Sequence, residues 1–511
     1  MPNLQHHGNT QVTICVQLID NVYGGFIQSV YVKRINYRFN RMPKNNKLSL
    51  SHQTALGLLY VTFSLIPHFV VAHEWDAEKR SDPAKTGVKA EATSTAVEKA
   101  DQWDARFQST YIWQTKPSFP VLYSGPNSLS PQHEKSYSFT ATAFLGVRLW
   151  EGGELYFNPE LVQGVPMSNL TGLGGLTNSE LQKSAGAKPK LYSARLFLRQ
   201  TWGMGKDGEP VYADNNQLAG NRSKNRLVIT AGNLAVSDIF DGSSFAHDAR
   251  TQFLNWSLLT HGAYDFAADA RGYSWGGAIE YIDDDWALRA GRFLQPREAN
   301  GLKLDWHFFV HYGDQIEAER SYLWRNMPGK IRLLVFRNVV VAGAFRDAIA
   351  LANTTNEVPD VTLVRKRQTK LGIGINWEQS LTSDIGLFVR AAASNGAIEV
   401  YAFAEIDRSL STAITAKGNA WGRGEDVWGI ALARNGLSED HRSYLAAGGL
   451  GFFVGDGRIR YRPERIIETY YNINIRKGSS IGLGYQRITN PAYNADRGPV
   501  SVTSIRLHTE F

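Results

Sequence analysis

Between Tyr137 and Leu149 apolar and polar side chains alternate. Tyr137, Phe139, Ala141, Ala143, Leu145, Val147 and Leu149 share one face of an extended strand, with Ser138, Thr140, Thr142, Phe144, Gly146 and Arg148 on the other. The pattern returns in Ile467, Thr469, Tyr471, Ile473 and Ile475 against Glu468, Tyr470, Asn472, Asn474 and Arg476. It returns again in Thr503, Ile505, Leu507, Thr509 and Phe511 against Val502, Ser504, Arg506, His508 and Glu510. Further runs cover Tyr192 to Thr201, Arg226 to Ala235, Tyr273 to Tyr281, Trp286 to Phe293, Lys330 to Val341, Lys370 to Glu378 and Ile481 to Arg487. Roughly 16 or 17 candidates of about 9 to 13 residues result, the length a tilted strand needs to cross a bilayer.

Half-buried strands of soluble sandwiches alternate too, but they are shorter, typically about five or six residues. Here the runs are long, aromatics such as Tyr281, Trp286, Trp377 and Phe511 sit at their ends as membrane girdles require, and the polar faces leave no large dry core. In lipid only helices and closed barrels satisfy every backbone group. The pattern therefore predicts an all-β protein, a transmembrane antiparallel β-barrel over residues 103–511 with about 16 strands, 18 being the alternative because the count must be even.

The alternation begins only at Trp103. Upstream, Met42-Pro43-Lys44-Asn45-Asn46-Lys47 precedes an apolar run from Ala55 to Ala72 that Pro67 and His68 interrupt. A basic start, an apolar middle and the ending Val70-Val71-Ala72 read as a signal peptide over 42–72, not as an anchor. Residues 1–41 read as an over-extended start. Residues 73–102, charged, Ala-rich and without alternation, read as a short N-terminal periplasmic arm, partly helical.

Composition agrees with a β-rich exported chain: aromatics make up 12%, glycines number 47, and mean hydropathy is negative. The net charge of +7 belongs mostly to the leader. Cleavage after Ala72 would remove six of the 55 basic residues and one of the 48 acidic ones, leaving 49 against 47, or +2. The basic balance is thus no nucleic-acid signature, and no nucleic-acid partner is expected. Cys15, the single cysteine, lies upstream of the signal peptide, so the exported chain would carry no thiol, as suits an oxidising compartment.

Three segments carry a resemblance. Gly152 to Gly164 reads Gly-Gly-Glu-Leu-Tyr-Phe-Asn-Pro-Glu-Leu-Val-Gln-Gly, Arg199 to Gly203 reads Arg-Gln-Thr-Trp-Gly, and Asn490 to Val500 reads Asn-Pro-Ala-Tyr-Asn-Ala-Asp-Arg-Gly-Pro-Val. Together they resemble the carbohydrate-selective porin (OprB) family. The resemblance implies a Gram-negative outer-membrane barrel through which glucose and other mono- and oligosaccharides diffuse without energy or cofactor, with a general or anion-selective porin as the alternative. The other partners expected are outer-membrane lipid and lipopolysaccharide and the barrel-insertion machinery, for which a terminal Phe511 resembles the signal; monomer and trimer are both open. Read physically, Pro159 removes a ladder donor and implies a bulge or a strand end, and Asn490–Pro499 is a turn-rich loop before the last strand.

Arginine facing lipid at mid-membrane costs about 2 to 4 kcal/mol. Arg195 and Arg199 are therefore expected inward, opposite Tyr192, Ala194, Leu196 and Leu198, with Glu280 as a candidate partner. The same logic turns Glu280 inward from Ile279 and Tyr281, and Arg289 inward from Trp286, Leu288 and Ala290. These four are the candidate pore-lining residues. Ser237–His261, which holds Asp238, Asp241, Asp248 and Arg250, is a candidate for a constriction loop, an external loop or a segment carrying a short helix being the alternatives. No Gly-x-Ser-x-Gly elbow, Walker loop or His-Glu-x-x-His appears, so neither an enzyme nor a metal centre is expected. His307 and His311, read as lying on a strand, would stand about 13 Å apart, too far for one metal. Asp283-Asp284-Asp285 reads as a solvated turn.

Overall fold

The computed structural model describes residues 100–182, 186–205 and 207–511, together with four short strands in the first 36 residues. Those four lie in a separate unit, 1–87, where Thr13–Leu18 pairs antiparallel with Tyr31–Asn36 and Val22–Tyr23 with Phe26–Ile27. The expected signal peptide at 42–72, and the expected arm up to residue 99, lie outside the described residues.

Among the described residues of the second unit, long alternating runs become strands that close on themselves. In chain order they are β1 (Trp103–Lys116), β2 (Glu134–Trp150), β3 (Gly153–Val165), β4 (Gly186–Gly203), β5 (Asn225–Leu234), β6 (Ser274–Asp283), β7 (Trp286–Leu294) and β8 (Tyr312–Trp324). They continue with β9 (Met327–Ala342), β10 (Lys366–Ser380), β11 (Ile385–Ser394), β12 (Arg408–Gly418), β13 (Arg423–Gly436), β14 (Glu464–Arg476), β15 (Ser479–Thr489) and β16 (Val500–Glu510). Each pairs antiparallel with its neighbours in sequence, and β16 pairs with β1 from Thr503 opposite Thr115 to Glu510 opposite Gln108. The strand count is 16, the lower of the two expected numbers. Closure removes the sheet edge, so outside its bulges the backbone in the membrane is paired along the ladder.

On β2 the side chains of Ser136, Ser138, Thr140 and Thr142 are buried toward the lumen, whereas Leu145, Val147 and Leu149 are exposed on the outside. At one end of the barrel the connections are tight turns, at 151–152, 284–285, 325–326 and 477–478, and at the other they are long loops, which marks the second end as extracellular. In the turn at 325–326, Arg325 and Asn326 have φ of 51° and 60°, the pair of positive values that lets two twisted strands join in two residues. The turn after Asp283 is made by Asp284, with φ of 51°, and Asp285, which stands 2.7 Å from Arg320. The periplasmic end breaks the rule once: 204–224 is a longer segment carrying the hairpin Gly208–Val211 with Gly220–Ser223. Exposed Trp150, Trp202, Trp286, Trp324 and Trp421 girdle that end, and the Phe511 ring lies 5.3 Å from that of Phe107 at a tilt.

Pro159 sits inside β3, and the register to β4 shifts between Asn158 and Pro159, so the proline marks a bulge and not a strand end. The shift corrects one expectation. Tyr192 is not on the lipid face: it pairs with inward-facing Glu160, its hydroxyl donates to that carboxylate, and Ala194, the extra residue at the bulge, is buried beside it with Ala235 and Tyr273. His307 and His311 are not on a strand either. They lie in the loop before β8, where both Nδ1 atoms stand 2.6 Å from the carboxylate of Asp305. Burial works to raise the Asp305 carboxyl, but the hydrogen bonds from His311 and His307 outweigh it and hold the group at about 2.

Candidate solute path through the barrel

The connection between β5 and β6, residues 235–273, turns into the barrel instead of standing above it, and it carries the helical turn α1 (Trp256–Leu259). The physical reason is its composition. Phe240, Phe253, Trp256, Tyr264 and Phe266 are too apolar for solvent, and they pack on inward-facing Phe336, Phe388 and Tyr470. A segment that buries its backbone must also satisfy its polar groups. Asp241 pairs with Arg390 of β11 at 3.1 Å, accepts from Asn376 of β10 at 2.9 Å, and its own N–H donates to Glu317 of β8. Arg390 also donates to the carbonyls of Ala246 and Leu258. Arg250 lies between Glu160 of β3 and Glu180, at 2.7 and 3.0 Å. Glu468 of β14 accepts the N–H groups of Leu254 and Asn255, and Arg506 of β16 donates to the carbonyls of Ala249 and Gln252.

Ser237–His261 is thus infolded, and it covers the inner faces of much of β8–β16. Glu317, Arg390, Glu468 and Arg506 are at most 3% exposed. The His261 imidazole faces Asp241 at 3.3 Å; burial pushes it down to about 4, against the pull of that carboxylate, so it is neutral at pH 7. A cavity of about 390 Å³ remains at the periplasmic end beneath the loop, between Ser244, Thr251 and Gln252 on one side and Asn472 and His508 on the other.

The wall formed by β4–β7 packs against the segment at Phe197, Ala278 and Phe293, but keeps part of its charged surface open. Arg195, Arg199, Glu280 and Arg289 all face inward, as their register partners Asn158, Glu154 and Val228 show. Arg195 holds Asp238, at the root of the infolded loop, through two bonds of 2.7 and 2.6 Å, and its guanidinium lies 5.2 Å from the ring of Tyr273. Glu280 and Arg289 stand directly opposite each other on β6 and β7 and pair at 3.0 Å, with Glu317 and Glu319 completing the cluster at 2.9 and 3.3 Å. The side chains of Arg195, Glu280 and Arg289 retain 15, 17 and 13% exposure.

One detail differs from the sequence reading. The expected partnership of Glu280 with the β4 arginines is not formed: Glu280 pairs with Arg289, and Arg195 with Asp238. Arg199 is four residues from Arg195, about 13 Å along the strand, and belongs to another neighbourhood. Its guanidinium stacks on Tyr156 and Phe197 and donates to the carbonyl of Asn216 in the periplasmic segment 204–224. The reading missed that segment and also missed Glu317 and Glu319, although the alternation of Glu317 and Glu319 with Ile316 and Ala318 was there to find. Among the described residues no group of three or more His, Cys, Asp or Glu side chains is placed to hold a metal ion.

Chemically, the β4–β7 strip sets guanidinium donors beside carboxylate acceptors, with nearby aromatic rings at Tyr273, Tyr156 and Tyr192, the last under Arg271 at 4.5 Å. It can exchange hydrogen bonds with a solute that both donates and accepts, and its charges are largely compensated.

Residues 130–511 match the sequence model of the family described as carbohydrate-selective porin, OprB family. No curated protein matches the sequence. Among solved structures, the high-pH structure of Pseudomonas putida OprB is similar with a TM-score of 0.61 at 17% identity, covering 80% of this chain and 94% of that one. The low-pH structure of the same protein gives 0.44 at 13% identity, covering 80% and 93%. The outer membrane channel DcaP of Acinetobacter baumannii gives 0.46 at 9%, covering 83% and 100%. At 17% identity the first of these likenesses speaks for the fold alone.

Proposed function

This chain belongs to the carbohydrate-selective porin (OprB) family and is a porin of the Gram-negative outer membrane, and from that premise we propose that it passes neutral mono- and oligosaccharides, glucose among them, along the β4–β7 strip. The observation that carries the reading is the pairing of charges there. A sugar offers hydroxyls that donate and accept, and weakly apolar ring faces. Arg195 with Asp238 and Arg289 with Glu280 offer both hydrogen-bond roles at fixed positions, and Tyr273 offers a ring beside them. Compensated charge keeps the field weak, so a neutral solute meets no ion-exclusion barrier, and each contact is weak enough for release. Proteins of this class need no cofactor for such diffusion.

The test is a liposome-swelling series in which neutral sugars are compared with amino acids and salts of like size. Faster entry of the sugars supports the proposal; equal rates at equal size assign a general porin. A second reading, an anion-preferring pore, draws on Arg199 and Arg222, which among the described residues have no carboxylate within 4.0 Å. A reversal potential near zero in a salt gradient would set that reading aside.

A further inference from the structure

On the barrel's outer surface Arg292 and Arg337 pair with Asp314 and Arg320 with Asp285, but four further arginines break the apolar pattern without a carboxylate partner. Arg434 lies between inward-facing Ala433 and Asn435, Arg465 between Glu464 and Ile466, and Arg487 between Gln486 and Ile488, all buried toward the lumen, so each arginine points outward. Arg408, at the start of β12, shares the outward face of Leu410. All four are exposed and lie within a few residues of the extracellular ends of β12–β15. Directly beneath them Leu410, Leu432, Ile467 and Leu483 form part of the exposed apolar band.

Their register makes the arrangement costly as it stands. Arg434 and Arg465 are directly opposed across β13 and β14, where side chains of neighbouring strands nearly touch. Arg408 is the diagonal neighbour of Arg434, and Arg487 that of Arg465, so the four run as one chain of like charges. Among the described residues the side chains of Arg408, Arg434 and Arg465 have no hydrogen-bond or ion-pair partner, and Arg487 has no carboxylate, only the hydroxyls of Ser501 at 3.3 Å and of Tyr485. Every carboxylate-paired arginine of the lumen contrasts with this. Like charges opposed on a lipid-facing strand repel unless an anion lies between them, and guanidinium groups bind phosphate oxygens in a bidentate fork.

We propose that Arg408, Arg434, Arg465 and Arg487 form a binding site for the phosphate groups of an outer-leaflet glycolipid, whose acyl chains lie on the apolar band below. The position selects this source of phosphate. The site is at the boundary of the band, facing outward, where a phosphorylated sugar headgroup stands in the outer leaflet of this membrane. The arginines' aliphatic stems reach along the apolar surface while the heads stay at the polar level.

The test uses the full barrel in phosphatidylcholine vesicles with and without lipid A, and reads the midpoint of heat-modifiable unfolding. For the wild type, lipid A should raise the midpoint by several degrees, and enzymatically dephosphorylated lipid A should raise it much less. Arg434→Gln with Arg465→Gln should lose most of the rise, whereas Arg434→Lys with Arg465→Lys should keep the larger part. Channel conductance shows that the Gln variant is folded, and replacing outward charges by neutral groups leaves the ladder intact. An equal rise in the Gln variant, or an equal rise with the dephosphorylated lipid, overturns the proposal. Inorganic phosphate reproducing the rise in vesicles without lipid A would assign the patch to a free anion. A concentration-dependent oligomer lost in the Gln variant would assign it to a second copy of the chain; either result overturns the lipid assignment.

Discussion

The inner faces of β8–β16 and of β4–β7 are built from the same kinds of residue, yet they do different work. On the first, Glu317, Arg390, Glu468 and Arg506 are shut beneath the infolded loop and spend their hydrogen bonds on its backbone and on Asp241. On the second, Glu280 pairs with Arg289, Arg195 pairs with Asp238 at the root of the loop, and all three side chains remain partly open to the lumen. A charged residue on an inward strand face is therefore no sign of a solute path by itself. What decides is whether the segment 235–273 lies over it.

That contrast can be broken most forcefully from the covered side. Asp241→Ala leaves Arg390 buried without its carboxylate, a change of the kind that costs about 3 to 5 kcal/mol. The loop should leave the wall, single-channel conductance should rise several-fold with frequent switching between levels, and discrimination among sugars by size should vanish. Planar-bilayer recording with liposome swelling checks both. A variant with wild-type conductance would mean that the aromatic packing of Phe253, Trp256 and Phe266 holds the loop without the ion pair.

A smaller effect is expected on the open side. Replacing Arg195 and Arg199 together with Ala removes two positive charges and frees Asp238, so conductance should rise modestly, the reversal potential should move toward cation preference, and selection between mono- and oligosaccharides should weaken. The Arg195–Asp238 pair is partly exposed, so its loss should cost about 1 kcal/mol or less. The single variants sharpen this: most of the selectivity change should follow Arg195, because Arg199 holds the periplasmic segment through Asn216. Salt-gradient potentials of the two single variants distinguish them.

The mildest lever is pH, and it separates the infolded loop from the extracellular ones. His261 is held below its ordinary range, at about 4, so the loop's hold on the wall is full above about pH 6.5 and weakens as pH falls toward 4, where the unfolded form gains the proton first. His441 behaves in the opposite sense. It lies on α3 (Glu439–Ala446), stacked 4.3 Å from Phe345 of α2 (Phe345–Thr355). Burial pushes its imidazole down, but Asp407 at 2.9 Å and Glu405 outweigh this and raise it to about 9. Its contribution is full below about pH 6.5 and is lost as pH rises through 9. Acid should thus raise conductance while leaving α3 resistant to protease, and alkali should open α3 to protease with little change in conductance.

The barrel was legible because its cause is local. Alternation over a single strand shows which side chains face lipid, as with Ala141 against Thr142 or Leu288 against Arg289. Partners were less legible. Asp241 and Arg390 are 149 residues apart, and nothing along the chain links them. Tyr192 was misplaced for a related reason: Pro159 announced a bulge in β3, but its effect appears on the next strand, where the register slips by one and turns Tyr192 inward. His307 and His311 looked like strand residues because β8 begins directly after them.

Whether the path runs along β4–β7 can be measured with two cysteines, since Cys15 is the chain's only native one. Thr201 faces inward on β4 on the open side, and Ser411 faces inward on β12 and is 2% exposed beneath the loop. A bulky, water-soluble thiol reagent added during single-channel recording should cut the current through Thr201→Cys within the time it takes to mix, and leave Ser411→Cys unaffected. Block of Ser411→Cys with an unaltered current through Thr201→Cys would place the path on the other wall and contradict the account.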